Sequence, residues 1–162
     1  MTGDRDGYVK VHFALGAAAD GWPPVGSESM WAVDLGGGLA RVDNVPWFVP
    51  RIAANDVVRA APDEHGTLWF VERVTASGNC TIRVLPFPDG ALAGSRKAVI
   101  DLFEPMGVYG EGVEQYGLVA LDVPPGADLA AVKGQLIRGQ HEGWWNFEEG
   151  CVGDAWIEAS TE

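Results

Sequence analysis

Thr67-Leu68-Trp69-Phe70-Val71-Glu72-Arg73-Val74, then Ser77-Gly78-Asn79, then Cys80-Thr81-Ile82-Arg83-Val84-Leu85: this stretch reads as strand, turn, strand. In an extended chain successive side chains point to opposite faces. That places Leu68, Phe70 and Val74 on one face of the first strand. In the second, Cys80, Ile82 and Val84 face one way and Thr81 and Arg83 the other. Ser77-Gly78-Asn79 between two apolar runs marks a turn, because glycine and asparagine tolerate backbone angles closed to most residues.

Upstream, the pattern repeats. Tyr8 to Leu15 alternates, with Tyr8, Lys10 and His12 opposite Val9, Val11 and Phe13. Gly16 to Gly26 is a loop broken by glycine and proline. Glu28 to Leu35 and Leu39 to Val42 form a hairpin around Gly36-Gly37-Gly38, where a tight turn calls for positive φ. Asp43 to Pro50 is a connecting loop that carries apolar side chains inward, Asp56 to Ala60 is extended, and Pro62 to Gly66 turns again. No helix pattern occurs before residue 95. Short strands with turns about every eight to twelve residues predict a small barrel or sandwich. Trp22, Trp31, Trp47 and Trp69 are expected to fill its core or its boundary with the next layer.

Downstream, the character changes. Pro86 to Gly94 is a Pro/Gly linker, and Ser95 caps a helix over Arg96 to Phe103 with Val99, Leu102 and Phe103 on one side. Pro105 and Gly107 stop it. Tyr116 to Val123 is a strand whose near-continuous apolar run predicts burial. Asp128 caps a second helix that turns Leu129, Val132, Leu136 and Ile137 inward and ends at Gly139. Trp144-Trp145-Asn146-Phe147-Glu148-Glu149-Gly150-Cys151 closes the layer as a final strand. The expected fold is α+β: an N-terminal β-barrel-like half over residues 8–86, packed on a C-terminal β-α-β-α-β layer over residues 95–158 of the split, ferredoxin-like kind, together one compact unit.

Composition narrows the function classes. The 162 residues are 47% hydrophobic, enough for a sizeable core. No apolar run approaches the roughly 20 residues that cross a bilayer. Met1 to Gly7 is polar and carries both charge signs, unlike an export signal, so a cytoplasmic setting is expected. Cys80 and Cys151 are then free thiols. A net charge of -12 argues against a nucleic-acid backbone as partner, which demands a basic stripe, and permits a basic protein instead.

The terminal run is the densest group of candidate side chains. On a strand, Glu148 and Glu149 point to opposite faces and cannot act as a pair on one substrate. One of them at most is buried beside Trp145 and Phe147, where burial raises a carboxyl pKa toward general-acid work. Cys151 and His141 are candidates for a nucleophile and its base; the plainer reading is a buried thiol acting as a small apolar residue. His12, His65 and His141 are too scattered for a metal motif, and the triple glycine lacks the Lys-Ser/Thr of a phosphate loop, so neither a metal nor a cofactor is expected. Asp43, Asn44, Asp56, Glu72, Asn79 and Arg83 sit at strand ends or turns. Asp43-Asn44 satisfies its own loop or contacts a ligand; Arg83 clamps an anion or pairs with Glu72 across the hairpin, the pair being the simpler choice.

Taken together, several segments carry a family resemblance: Glu28-Ser29-Met30-Trp31-Ala32, Arg41 to Phe48, Asn55 to Val58, Gly78 to Val84, Leu121 to Pro125 and Trp145 to Val152. Over nearly the whole chain, from about Val9 to Val152, it resembles the bacterial domain of unknown function 4265. The resemblance implies membership of an uncharacterised family and no activity. It also implies a histidine where Asn79 stands and a small residue such as alanine where Gly150 stands; Asn79 keeps hydrogen-bonding capacity but cannot shuttle a proton near neutral pH.

The expected function is binding, of a protein partner or a small ligand, at the junction of the two halves. Trp31, Asp43, Asn44, Asn79, Arg83 and Trp145 form the expected surface. Neutralisation of a basic, toxin-like protein is one concrete version, motivated by charge. The alternative is a small enzyme or biosynthetic tailoring protein that uses Glu148 or Glu149 as general acid/base, with Cys151 as a further candidate.

Overall fold

In the computed structural model the described residues are 7–16 and 19–159. The lead-in read for export signals, up to residue 6, lies outside them, as do residues 17 and 18 of the first loop. Among the described residues the order is β1 (Tyr8–Ala14), β2 (Ser27–Gly36), β3 (Leu39–Val42), β4 (Val57–Pro62), β5 (Leu68–Thr75), β6 (Cys80–Pro86), α1 (Arg96–Phe103), β7 (Tyr109–Val113), β8 (Leu118–Val123), α2 (Leu129–His141), β9 (Trp145–Cys151) and α3 (Asp154–Glu158). The protein is thus mixed α+β, mostly sheet with few helices, as its turn spacing and alternation predict.

The chain divides into two units between Ser77 and Gly78. The expected boundary near residue 86 is therefore too late. β6 pairs with β8 and β9, strands far downstream, and so belongs to the second unit. In the first unit β1 to β5 are hydrogen-bonded in sequence order, and β1 also meets β5 in parallel at Val11–Leu68 and His12–Trp69, so the ladder returns to its first strand. Val11, Phe13, Met30, Ala32, Val42, Ile52 and Val58 make its core. None of Trp22, Trp31, Trp47 and Trp69 is among these fully buried residues; all four are partly exposed.

Two register shifts in the β4–β5 ladder explain another departure from strict alternation. Val58 pairs with Arg73 and Ala60 with Phe70, which leaves Val74 and Val71 as extra residues on β5. A bulge of this kind breaks period-2 alternation. Val71 and Val74 are accordingly 54% and 46% exposed, and Val74 does not share the inner face with Leu68 and Phe70.

Carboxylates hold the long loop after β3. Glu28 on β2 accepts hydrogen bonds from the backbone N–H groups of Trp47 (2.7 Å), Phe48 (2.9 Å) and Val49 (3.0 Å). Buried Asp56 accepts from Ala53 N (2.9 Å) and Ser77 N (2.8 Å) and lies 3.5 Å from Arg73 Nη1. Buried backbone donors need such partners when no ladder supplies them.

The second unit runs β6-α1-β7-β8-α2-β9, with antiparallel sheet order β7-β8-β6-β9. Ser95 and Asp128 cap α1 and α2 as expected, accepting from Ala98 N (3.3 Å) and Ala131 N (3.1 Å). Val99, Phe103, Val132, Leu136 and Trp145 join Ile82, Val84, Val119 and Leu121 in the core. Four features differ from the periodicity. Strand β7 is additional, and the strand expected from Tyr116 starts at Leu118 after a single helical turn, Glu114–Tyr116. Ile137 is 48% exposed rather than inward. Gly139 lies within α2 instead of ending it: a Cβ there would sit 2.1 Å from the Trp145 ring, so the missing side chain makes room for the indole. The turn out of α2 falls at Gly143, whose φ of 78° suits glycine.

Candidate functional site

The terminal run forms strand β9, and its alternation separates the two glutamates. Glu148 stands opposite Arg83 on β6 and accepts from its Nε at 2.6 Å. The guanidinium is almost wholly buried while Glu148 is 44% exposed, a charge-assisted pair with one foot in solvent. Glu149 accepts from the indole Nε1 of Trp156 at 2.5 Å, on the side that holds the core. Glu72, the expected partner of Arg83, takes Arg59 Nε at 3.2 Å, its cross-strand neighbour on β4. The long-range ladder between β6 and β9, invisible to local spacing, decides the choice. Gly150 completes the arrangement, since a Cβ on it would meet Arg83 Nη2 at 2.6 Å.

Asn79 and Asp122 form the second polar pair of this sheet. Asn79 Nδ2 donates to Asp122 Oδ1 at 2.8 Å. Burial pushes the Asp122 carboxyl above its ordinary range, and the Asn79 hydrogen bond offsets part of that rise. Asp122 was legible only as an ionisable residue inside the apolar run of β8. Trp145, expected on a binding surface, is instead at 0% exposure, with Nε1 donating to Leu136 O at 3.0 Å.

Cys80 and Cys151 are both buried and not joined in a disulfide. Burial raises the Cys80 thiol, partly countered by the Gly153 N–H, so at neutral pH it is a thiol and a poor nucleophile. His141 is exposed at the end of α2, and among the described residues no hydrogen bond joins it to Cys151. Among the described residues no group of three or more His, Cys, Asp or Glu is placed to hold a metal ion.

The remaining candidates belong to the first unit. Asn44 Oδ1 accepts from Trp31 N at 2.7 Å and its Nδ2 donates to Asp43 O at 3.1 Å. Asp43 N donates to Trp31 O at 2.9 Å. Asp43 and Asn44 thus fasten their own loop to β2. Lys10 Nζ lies 4.8 Å from the centre of the Trp31 ring, its cross-strand neighbour.

A cavity of about 420 Å³ in this unit escaped the sequence altogether. Phe13, Ala14, Val49, Pro50, Ile52 and Phe70 supply its apolar wall, and Arg51 and Arg73 its charged lining among the described residues. Phe13 and Phe70 stack with ring centres 4.9 Å apart. A concave apolar site with a few polar groups at its edge is the usual form of a small-molecule pocket. Its members come from β1, β5 and the loop before β4, and no sequence motif links them. A smaller cavity of about 240 Å³ lies beside the Gly36-Gly37-Gly38 turn.

Comparison with known proteins supports the fold and the family. A family model described as a domain of unknown function, DUF4265, matches residues 28–147. A crystal structure of a hypothetical protein from Neisseria gonorrhoeae is similar over 89% of this chain and 94% of that one, at 21% sequence identity and a TM-score of 0.71. Among curated proteins no relative matches. No helix among the described residues is long and apolar enough to cross a membrane.

Proposed function

The chain belongs to the DUF4265 family, and we propose that this protein is a binding protein that takes a small, largely apolar ligand in the cavity of its first unit. The observation that carries this reading is the cavity itself: two stacked phenylalanines beside buried Val49 and Ile52, with Arg51 and Arg73 as the polar side chains among its described lining. Closure of β1 against β5 supports reading the first unit as a small barrel that serves as container. The order β-α-β-β-α-β with sheet order β7-β8-β6-β9 supports reading the second as ferredoxin-like. Two buried cysteines outside any disulfide fit a reducing, cytoplasmic setting.

Catalysis by Glu148 or Glu149, with or without Cys151, is the rival reading. Each carboxylate already has a close partner, Arg83 or Trp156, and neither lines the cavity. A basic protein partner is a further reading, supported by the net charge of -12; such a complex weakens as salt rises.

NMR titration of the isotopically labelled full chain with neutral aromatic and aliphatic fragments separates binding from catalysis. The expected shift changes cluster at residues 13–14, 49–52, 70 and 73. Changes confined to the neighbourhood of Glu148 and Glu149, or none at all, would remove the cavity as the site.

A further inference from the structure

Resting on the cavity as binding site, we infer that its ligand is an apolar carboxylate whose anionic head is held by the guanidinium of Arg51. The sign of the lining is the first argument. The chain carries 23 acidic and 11 basic side chains, yet among the described residues the cavity lining holds Arg51 and Arg73 and no acid, and with Arg73 beside Asp56 the Arg51 charge is the one left over. A local reversal of the overall charge draws an anion toward this opening.

The second argument separates the two arginines. Arg73 is committed to the protein: its Nη1 donates to Arg51 O at 2.9 Å and lies 3.5 Å from Asp56 Oδ2. The Arg51 guanidinium makes no hydrogen bond or ion pair among the described residues. Arg51 also holds a φ of 63°, a left-handed conformation that residues with a Cβ rarely adopt. Arg73 grips the carbonyl of that residue, and Asp56 ties Arg73 to Ala53 N and Ser77 N. The network fixes the Arg51 backbone beside the cavity while leaving its side chain available. Arg51 is therefore the ligand-binding group and Arg73 a positioning residue.

The third argument concerns the kind of anion. A guanidinium presents parallel N–H donors that match the two oxygens of a carboxylate. One available guanidinium above an apolar wall suits a single negative charge on an apolar body. The Phe13–Phe70 stack suits an aromatic or alkyl tail.

Calorimetric titration of the full chain with 4-phenylbutyrate and with 4-phenylbutan-1-ol tests this, beside the variants Arg51→Met and Arg51→Gly. Arg51→Gly removes the side chain at a backbone conformation glycine adopts freely, so it guards against a folding defect in the methionine variant. The acid is expected to bind about tenfold or more tightly than the alcohol, and both variants to abolish that preference. Equal binding of acid and alcohol overturns the carboxylate inference and leaves the cavity reading standing. An acid preference that survives in both variants overturns the role of Arg51. Binding of neither probe overturns both readings.

Discussion

At the scale of single residues, Asp122 shows how a buried polar pair makes stability depend on pH. Burial raises its carboxyl above the ordinary 3.8, so the folded chain holds that proton more tightly than the unfolded chain does. Its contribution is fully favourable below 3.8 and is lost as pH rises through the raised folded value. Asp122→Asn removes the titration, and its amide oxygen can still accept from Asn79 Nδ2. Thermal melts of both proteins across pH are expected to show the variant gaining on the parent as pH rises through that window; a gap independent of pH would contradict the assignment. Little of this site was readable in advance. Strand alternation correctly separates Glu148 from Glu149, but the partners Arg83 and Trp156 come from other elements. Arg51 gave no signal, because its importance comes from the loop that turns it to φ 63°.

At the scale of elements, the packing of α2 on β9 turns on a glycine. A Cβ at Gly139 would lie 2.1 Å from two carbons of the fully buried Trp145 indole, whereas one at Gly134, on the same helix, meets nothing within 4 Å. Alanine is worth about 0.5–1 kcal/mol over glycine in a helix, and overpacking a core costs about 1–3 kcal/mol or more. Gly134→Ala is therefore expected to raise the denaturant midpoint and Gly139→Ala to lower it, a reversal of sign that equilibrium unfolding reads directly. Helices α1 and α2 and most strands were legible because caps and alternation agree along the chain, whereas the five-residue α3 has no side-chain cap to mark it. Strand β7 was not, and the reason is the same packing. Tyr109-Gly110-Glu111-Gly112-Val113 shows no apolar alternation, since Gly110 lies against Ile100 and Gly112 against Arg96, where an added Cβ would come within 2.9 Å in each case. The glycines that hide the strand from view are what let α1 approach it. β6 was recognised as a strand but assigned to the wrong unit, because its partners β8 and β9 lie far along the sequence.

At the scale of the whole molecule, charge sets the response to solvent. With a net charge of -12, acidic side chains in excess repel one another in the folded chain more than in the expanded one. Raising ionic strength from about 0.01 M to about 0.15 M shortens the screening length from about 30 Å to about 8 Å. The thermal midpoint at neutral pH is expected to rise over this range, and scanning calorimetry that finds it flat or falling would assign stability to surface ion pairs such as Arg59–Glu72 instead. The return of β1 to β5 bears on the molecule in another way, through the order in which a ribosome delivers the chain. β1 is synthesised well before β5, its second neighbour at Leu68–Trp69, so the edge that β5 covers stays open until some sixty more residues have emerged. During that interval a growing chain exposes an unsatisfied strand edge to its surroundings, and the nascent protein relies on whatever shields such edges in the cell.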